Sequence, residues 1–272
     1  MSHSPDGYAP SGDALIAYET GGEGRPVLFV HAGIADRRMW RHQLSEVPTG
    51  FRYVSLDLRG HGATALTDAR FSNHEDVIAV MDHLDIDAAV VVGCSMGAGT
   101  AFDVALASPD RVNGLVAIGA GASGFEVDDY EPPQWPEVLK AYEAGQMARV
   151  AELDGEIWVM GYGRVRDEVD PEVWDLVIEM DLAILPNEDR RDELLIPLEP
   201  PRAERWDEIT APTLVMVGEH DLPDCRQSAE LLAEALSEHD PIVIPGAAHL
   251  PSLEQPESFN RALLGFLESV TV

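Results

Sequence analysis

Residues 88–97 constrain the fold more than any other stretch. Ala88-Ala89-Val90-Val91-Val92 is a short, β-branched apolar run, the pattern of a strand buried on both faces of a parallel sheet. Gly93-Cys94-Ser95-Met96-Gly97 follows directly. Residues 98–107 are small and then amphipathic, and Pro109 ends them, which predicts a helix. The pattern G-x-S-x-G therefore lies between a strand and a helix. That context puts Ser95 at the tip of a sharp turn, in a strained backbone conformation. Gly93 and Gly97 lack Cβ atoms, so neighbouring chain can approach the turn. The helix that opens here aims free N–H groups at whatever Ser95 attacks. Taken alone, the five residues also fit an ordinary Gly-rich turn. The flanking strand and helix favour a nucleophile.

The rest of the chain alternates in the same way. Residues 1–11 read as a polar tail and 14–20 as an early strand, followed by a turn at Gly21-Gly22-Glu23-Gly24. Further strands are predicted at 27–30, 51–56, 112–118, 213–217 and 241–244. Asn73 reads as the cap of a helix carrying Val77, Ile78, Val80, Met81 and Leu84, and the last helix begins near Pro256. Strands alternating with helices specify an α/β fold, a mostly parallel sheet with helices on both faces. From about 125 to 205 the alternation gives way to helical patterns that hold Trp135, Trp158 and Trp174. The expected organisation is a core domain of residues 1–124 and 206–272 with a helical cap at 125–205. Packing within the cap is the ordinary fate of each tryptophan, but at least one is expected to cover an apolar pocket.

One motif misleads. Gly119-Ala120-Gly121-Ala122-Ser123-Gly124 matches G-x-G-x-x-G after a strand. A dinucleotide site needs a helix to open there. Instead the chain continues through Asp128, Asp129, Glu131, Pro132 and Pro133, which reads as a loop leaving the sheet.

Composition limits the partners. The 272 residues carry 18 basic and 49 acidic side chains, a net charge of -31, and Lys140 is the single lysine. Such a surface repels nucleic acid phosphates and anionic membranes. No apolar run approaches membrane-spanning length, and the first residues lack the pattern of a secretory signal. Cys94 and Cys225 make no disulfide framework, and a reducing, cytoplasmic setting is expected. Neither HExxH nor paired CxxC spacing occurs, so no metal and no cofactor are expected.

Ligands of open α/β sheets bind beyond the carboxyl ends of the strands. Ser95, Asp221 and His249 are candidates there, in separate loops. A serine hydroxyl needs a base, a neutral histidine supplies one near pH 7, and a carboxylate fixes the required tautomer. The order Ser, Asp, His, the elbow at Ser95, Gly218-Glu219-His220-Asp221 and the late His249 resemble the α/β-hydrolase fold over essentially the whole length. His31-Ala32-Gly33 and Asp57-Leu58-Arg59-Gly60-His61-Gly62 are similar to the family's loops at those places. Two positions depart from the pattern, Ala32 and Ala98, each where the family usually has glycine. The resemblance implies an oxyanion hole from the backbone N–H groups of Gly33 and Met96, with Ile34 replacing Gly33 if the register shifts by one. Asp224 competes with Asp221 as the acid, and His220 with His249 as the base. His31 is expected to brace its loop, Asp57 and Arg59 to serve as turn and ion-pair residues, and Cys94 to pack.

The expected activity is hydrolysis of an ester or related acyl bond in a small, mostly neutral molecule. The same residues also suit carbon–carbon bond hydrolysis, cofactor-free peracid chemistry, or a ligand binder that has lost catalysis. The oligomeric state is not readable.

Overall fold

A computed structural model describes residues 4–270. Eight strands form one sheet: β1 (Gly7–Ser11), β2 (Ala14–Gly22), β3 (Gly24–Val30), β4 (Gly50–Leu56), β5 (Ala89–Cys94), β6 (Val112–Ile118), β7 (Thr213–Gly218) and β8 (Ile242–Ile244). Their order is β1-β2-β4-β3-β5-β6-β7-β8. The β1–β2 and β2–β4 pairs are antiparallel, and every later pair is parallel. The helices are α1 (Arg41–Ser45), α2 (Asn73–His83), α3 (Met96–Ala107), α4 (Trp135–Glu143), α5 (Met147–Asp154), α6 (Pro171–Ile184), α7 (Glu188–Leu194), α8 (Pro223–Leu236), α9 (Pro251–Glu254) and α10 (Pro256–Ser269).

Successive strand residues point to opposite faces, so the apolar runs feed two layers. Leu28, Val54, Val91, Leu115 and Val215 pack under α2, α3 and α8, against Val80, Phe102 and Leu232. Phe29, Tyr53, Val92, Val116 and Met216 pack on the other face with Trp40, with Phe259 and Leu263 of α10, and with Val173 and Val177 of α6. Ring centroids of Phe29 and Trp40 lie 5.1 Å apart, and those of Phe29 and Tyr53 lie 4.9 Å apart. Each such buried ring contributes roughly 1.5–3 kcal/mol relative to exposure.

Residues 125–205 contain α4 to α7 and no strand. Val138, Val150, Ala151, Leu153 and Ile157 form a third apolar cluster there with Leu185 and Leu222. No helix opens at the Gly119–Gly124 motif; the next begins at Trp135. Two expectations need correction. Residues 7–11 are not tail but edge strand β1, whose Ala9 and Ser11 face inward while Tyr8 and Pro10 face out. An edge strand tolerates Pro10, which has no N–H to donate. Ser72, not Asn73, holds the N-cap position of α2, and its hydroxyl donates to Ile196 O at 3.0 Å.

Candidate active site

Ser95 sits between β5 and α3 with φ 54° and ψ −112°. A non-glycine residue there costs of order 1–3 kcal/mol, and packing holds it in place. A Cβ on Gly93 would strike the Gly97 carbonyl, and one on Gly97 would strike the Val30 carbonyl. Ser95 N donates to Ile118 O at 2.8 Å, tying the turn to the end of β6. Met96 opens α3, so its N–H has no acceptor within the helix.

The β7 and β8 loops supply the other two groups. Gly218 lies so close to the Ala247 and Ala248 carbonyls that no side chain fits, and His220 N donates to Ala247 O at 2.8 Å. This contact brings Asp221 to His249. Nδ1 of His249 lies 2.9 Å from Oδ1 and 3.0 Å from Oδ2 of Asp221. Both side chains are buried. A carboxylate only accepts, so Nδ1 carries the proton and Nε2 is left as the acceptor. Leu222 N donates to Asp221 Oδ1 at 2.9 Å. Gly119, at φ +54°, is the common neighbour. A Cβ there would lie 3.0 Å from His249 Cε1 and 3.1 Å from Asp221 Oδ2. The serine turn hydrogen-bonds to Ile118, one residue earlier, so all three segments meet around this glycine. Among the described residues, Ser95 Oγ makes no hydrogen bond to His249. Such links are commonly long in free enzymes and tighten with substrate.

Several supporting residues carried no signal in the sequence. Glu254 Oε1 accepts from Ala248 N at 2.9 Å and Leu250 N at 3.3 Å, the residues flanking His249. Its Oε2 pairs with Arg164 Nη2 at 2.6 Å. Arg164 also donates to Val159 O, Met160 O and Gly246 O at 2.6, 2.7 and 2.8 Å. The Trp158 ring lies 4.6 Å from the His249 ring, and Trp158 O accepts from His249 N at 3.2 Å. Of the three tryptophans in the helical segment, Trp158 is therefore the one that reaches the site. Burial pulls the His249 pKa down, but the charge and hydrogen bond of Asp221, helped by Glu254 and Asp224, hold it above the ordinary histidine value.

The rivals stand elsewhere. Asp224 makes no hydrogen bond to His249, and burial pushes its carboxyl pKa up. His220 Nδ1 faces Tyr162 O at 3.2 Å. Cys94 is packed in the core, and its thiol donates to His249 O at 3.3 Å. Ligand atoms of Asp221, Cys225 and His249 lie within 4.8 Å of one another, the one trio of metal-binding type among the described residues. Two of its three members are already committed to each other.

The loop after β3 is braced from behind. Leu58 N donates to His31 Nε2 at 3.0 Å, so His31 Nδ1–H faces Ala32 O at 2.8 Å. His61 Nε2 lies 3.1 Å from Gly33 O. Burial holds the pKa of both imidazoles below the ordinary histidine value. Among the described residues neither Gly33 N–H nor Ile34 N–H has a backbone acceptor. Ala32, the departure from glycine, is fully buried in the core layer that also holds Met39 and Trp40. Asp57 pairs with Arg37 at 2.6 Å, and Arg59 with Asp76 at 2.9 Å. A cavity of about 650 Å³ opens at Ser95, and Met96, Asn73, His74, Leu195, Leu198 and Arg202 are among its lining residues.

Residues 27–262 match the alpha/beta hydrolase family, and the chain belongs to it. It is similar to the putative non-heme bromoperoxidase BpoC of Mycobacterium tuberculosis, 28% identical over 94% of this chain and 98% of that protein. It is 25% identical to 3-oxoadipate enol-lactonase 1 of Acinetobacter baylyi over 95% of each. A thermophilic esterase from Thermogutta terrifontis, solved with malate bound, superposes with a TM-score of 0.80 at 26% identity, covering 97% of this chain and 98% of that one. These relatives are enzymes of small molecules. No helix among the described residues is long and apolar enough to cross a membrane.

Proposed function

We propose that the chain is a serine hydrolase that cleaves an ester or related acyl bond of a small, mostly neutral substrate. The observation that carries this reading is the buried His249–Asp221 pair, with Nε2 left to accept, packed around Gly119 beside a serine held at positive φ. Ser95 Oγ attacks the carbonyl carbon while His249 Nε2 takes its proton. Asp221 holds the tautomer and stabilises the imidazolium. The negative oxygen is received by the N–H groups of Met96 and Gly33, donors that together are worth several kcal/mol. His249 then protonates the leaving oxygen, and an acyl-enzyme remains on Ser95. Water, deprotonated by His249, releases the acid. We read residues 125–205 as a lid over the cavity, with Trp158 its contact to the base, and the setting as cytoplasmic. No protein-bound cofactor or metal enters this scheme.

The test is labelling by a fluorophosphonate together with turnover of nitrophenyl esters. Wild type should do both, and Ser95→Ala should lose labelling and at least about 10³-fold in kcat. Turnover undiminished in Ser95→Ala sinks the reading. The likeness to a bromoperoxidase supports a second one, in which hydrogen peroxide instead of water takes the acyl group and leaves as a peracid. Halide oxidation in acetate and peroxide, lost in Ser95→Ala, distinguishes it.

A further inference from the structure

Arg191, on α7, is a buried cation whose one ion pair, to Asp192, is long. It is 7% exposed. Arg37, Arg59 and Arg164 are similarly buried, and each holds a carboxylate at 2.6–2.9 Å. Arg191 has only Asp192 Oδ1 at 3.5 Å, on a side chain that is 70% exposed. Its other partners are neutral and weak: Arg59 O at 3.2 Å, Asn73 Oδ1 at 3.3 Å and the thioether of Met96 at 3.1 Å. Burying a guanidinium is costly unless a good acceptor compensates, and sulfur is a poor one.

The place of this charge gives it a use. Both Asn73 and Met96 line the cavity at Ser95, and the same Nη2 touches both. Arg191 itself stands behind these two residues, and Arg202, the arginine that lines the cavity, is taken: it donates to Asp103 Oδ1 at 2.6 Å and to Gly99 O at 3.0 Å. A carboxylate that displaced the Met96 thioether would give Arg191 a closer charged acceptor than Asp192. Bonds of that kind are roughly twice as strong as neutral ones.

We propose that Arg191 recognises a carboxylate on the substrate, so that preferred substrates are small esters or lactones bearing one acid group. This rests on the serine-hydrolase reading but replaces its neutral substrate with one that carries a single negative charge. The acid group need not touch the reacting carbonyl, and no step of the chemistry changes.

The experiment compares nitrophenyl pentanoate with the mono-nitrophenyl ester of glutaric acid, which places a carboxylate where the first has a methyl. Wild type is expected to favour the acidic ester at least about tenfold in kcat/KM, chiefly through KM. Arg191→Met should abolish that preference while the pentanoate changes by less than about threefold. Arg191→Lys, which keeps the charge and loses the fork, should keep part of it. Glutarate itself should inhibit wild type competitively and Arg191→Met more weakly. A wild type that treats the two esters alike, or favours the neutral one, overturns the inference without any variant and leaves the hydrolase reading intact. Equal loss on both esters in Arg191→Met and Arg191→Lys also overturns it, placing Arg191 at the reacting carbonyl instead. Failure of both esters together with absent fluorophosphonate labelling removes the hydrolase reading itself.

Discussion

His249 sets the pH at which the proposed chemistry runs. A base must be neutral to take the serine proton, so the rate is lost as pH falls through its pKa. Asp221, Glu254 and Asp224 hold that pKa up against burial. The midpoint of the acid limb of kcat/KM is therefore expected above about 6.5, the ordinary histidine value. A profile that stays flat down to pH 5 contradicts the role. Glu254 allows a finer check. Glu254→Gln keeps an oxygen for the Ala248 and Leu250 N–H groups but removes a charge near the imidazole. The acid limb should move to lower pH. The same change leaves Arg164 buried without its counter-ion, which typically costs about 3–5 kcal/mol, so Tm should fall in the same variant. An unmoved limb with a lowered Tm would reduce Glu254 to a structural residue.

At the scale of elements, the strands were readable where side chains are apolar on both faces. Val90-Val91-Val92 and Leu214-Val215-Met216-Val217 sit in both layers, so sequence and burial agree. β1 escaped notice because an edge strand buries only every second residue, and Tyr8-Ala9-Pro10-Ser11 looks polar when read as a run. The elbow was legible because steric necessity dictates its glycines. Glu254, Arg164 and Arg191 were not, because nothing local distinguishes them from the many charged residues of this chain; only long-range packing gives them partners. The helical segment hides another such feature. Asp154 of α5 and Asp181 of α6 are both buried, and Asp181 Oδ2 has no partner. Burial and Glu188 hold both carboxyls well above their ordinary range, and the charge of Asp154 adds to the rise at Asp181. The unfolded chain ionises first, so their contribution to stability is full at pH below about 4 and is lost as pH rises through the raised values. Asp181→Asn should flatten the decline in Tm between pH 5 and 8. An identical slope in the variant shows that the pair does not matter there.

For the molecule as a whole, charge is the dominant property. A net charge of -31 on 272 residues repels itself, and this repulsion opposes the compact state. Raising NaCl from about 0.05 to about 0.5 M shortens the screening length roughly threefold. Tm is expected to rise over that range, and a Tm that falls throughout would mean that exposed pairs such as Arg149–Glu137 matter more than the repulsion.

The bond between Arg164 and Glu254 joins the helical segment to α9, whose Glu254 in turn holds the loop that carries the imidazole. The Trp158 carbonyl that receives the His249 N–H belongs to the same segment. Lifting residues 155–164 would strip the ring of its backbone tether and Glu254 of its neutralising charge in one movement. On the proposed hydrolase reading, seating the segment and arming the base would be a single event, and a molecule caught open would be idle as well as empty.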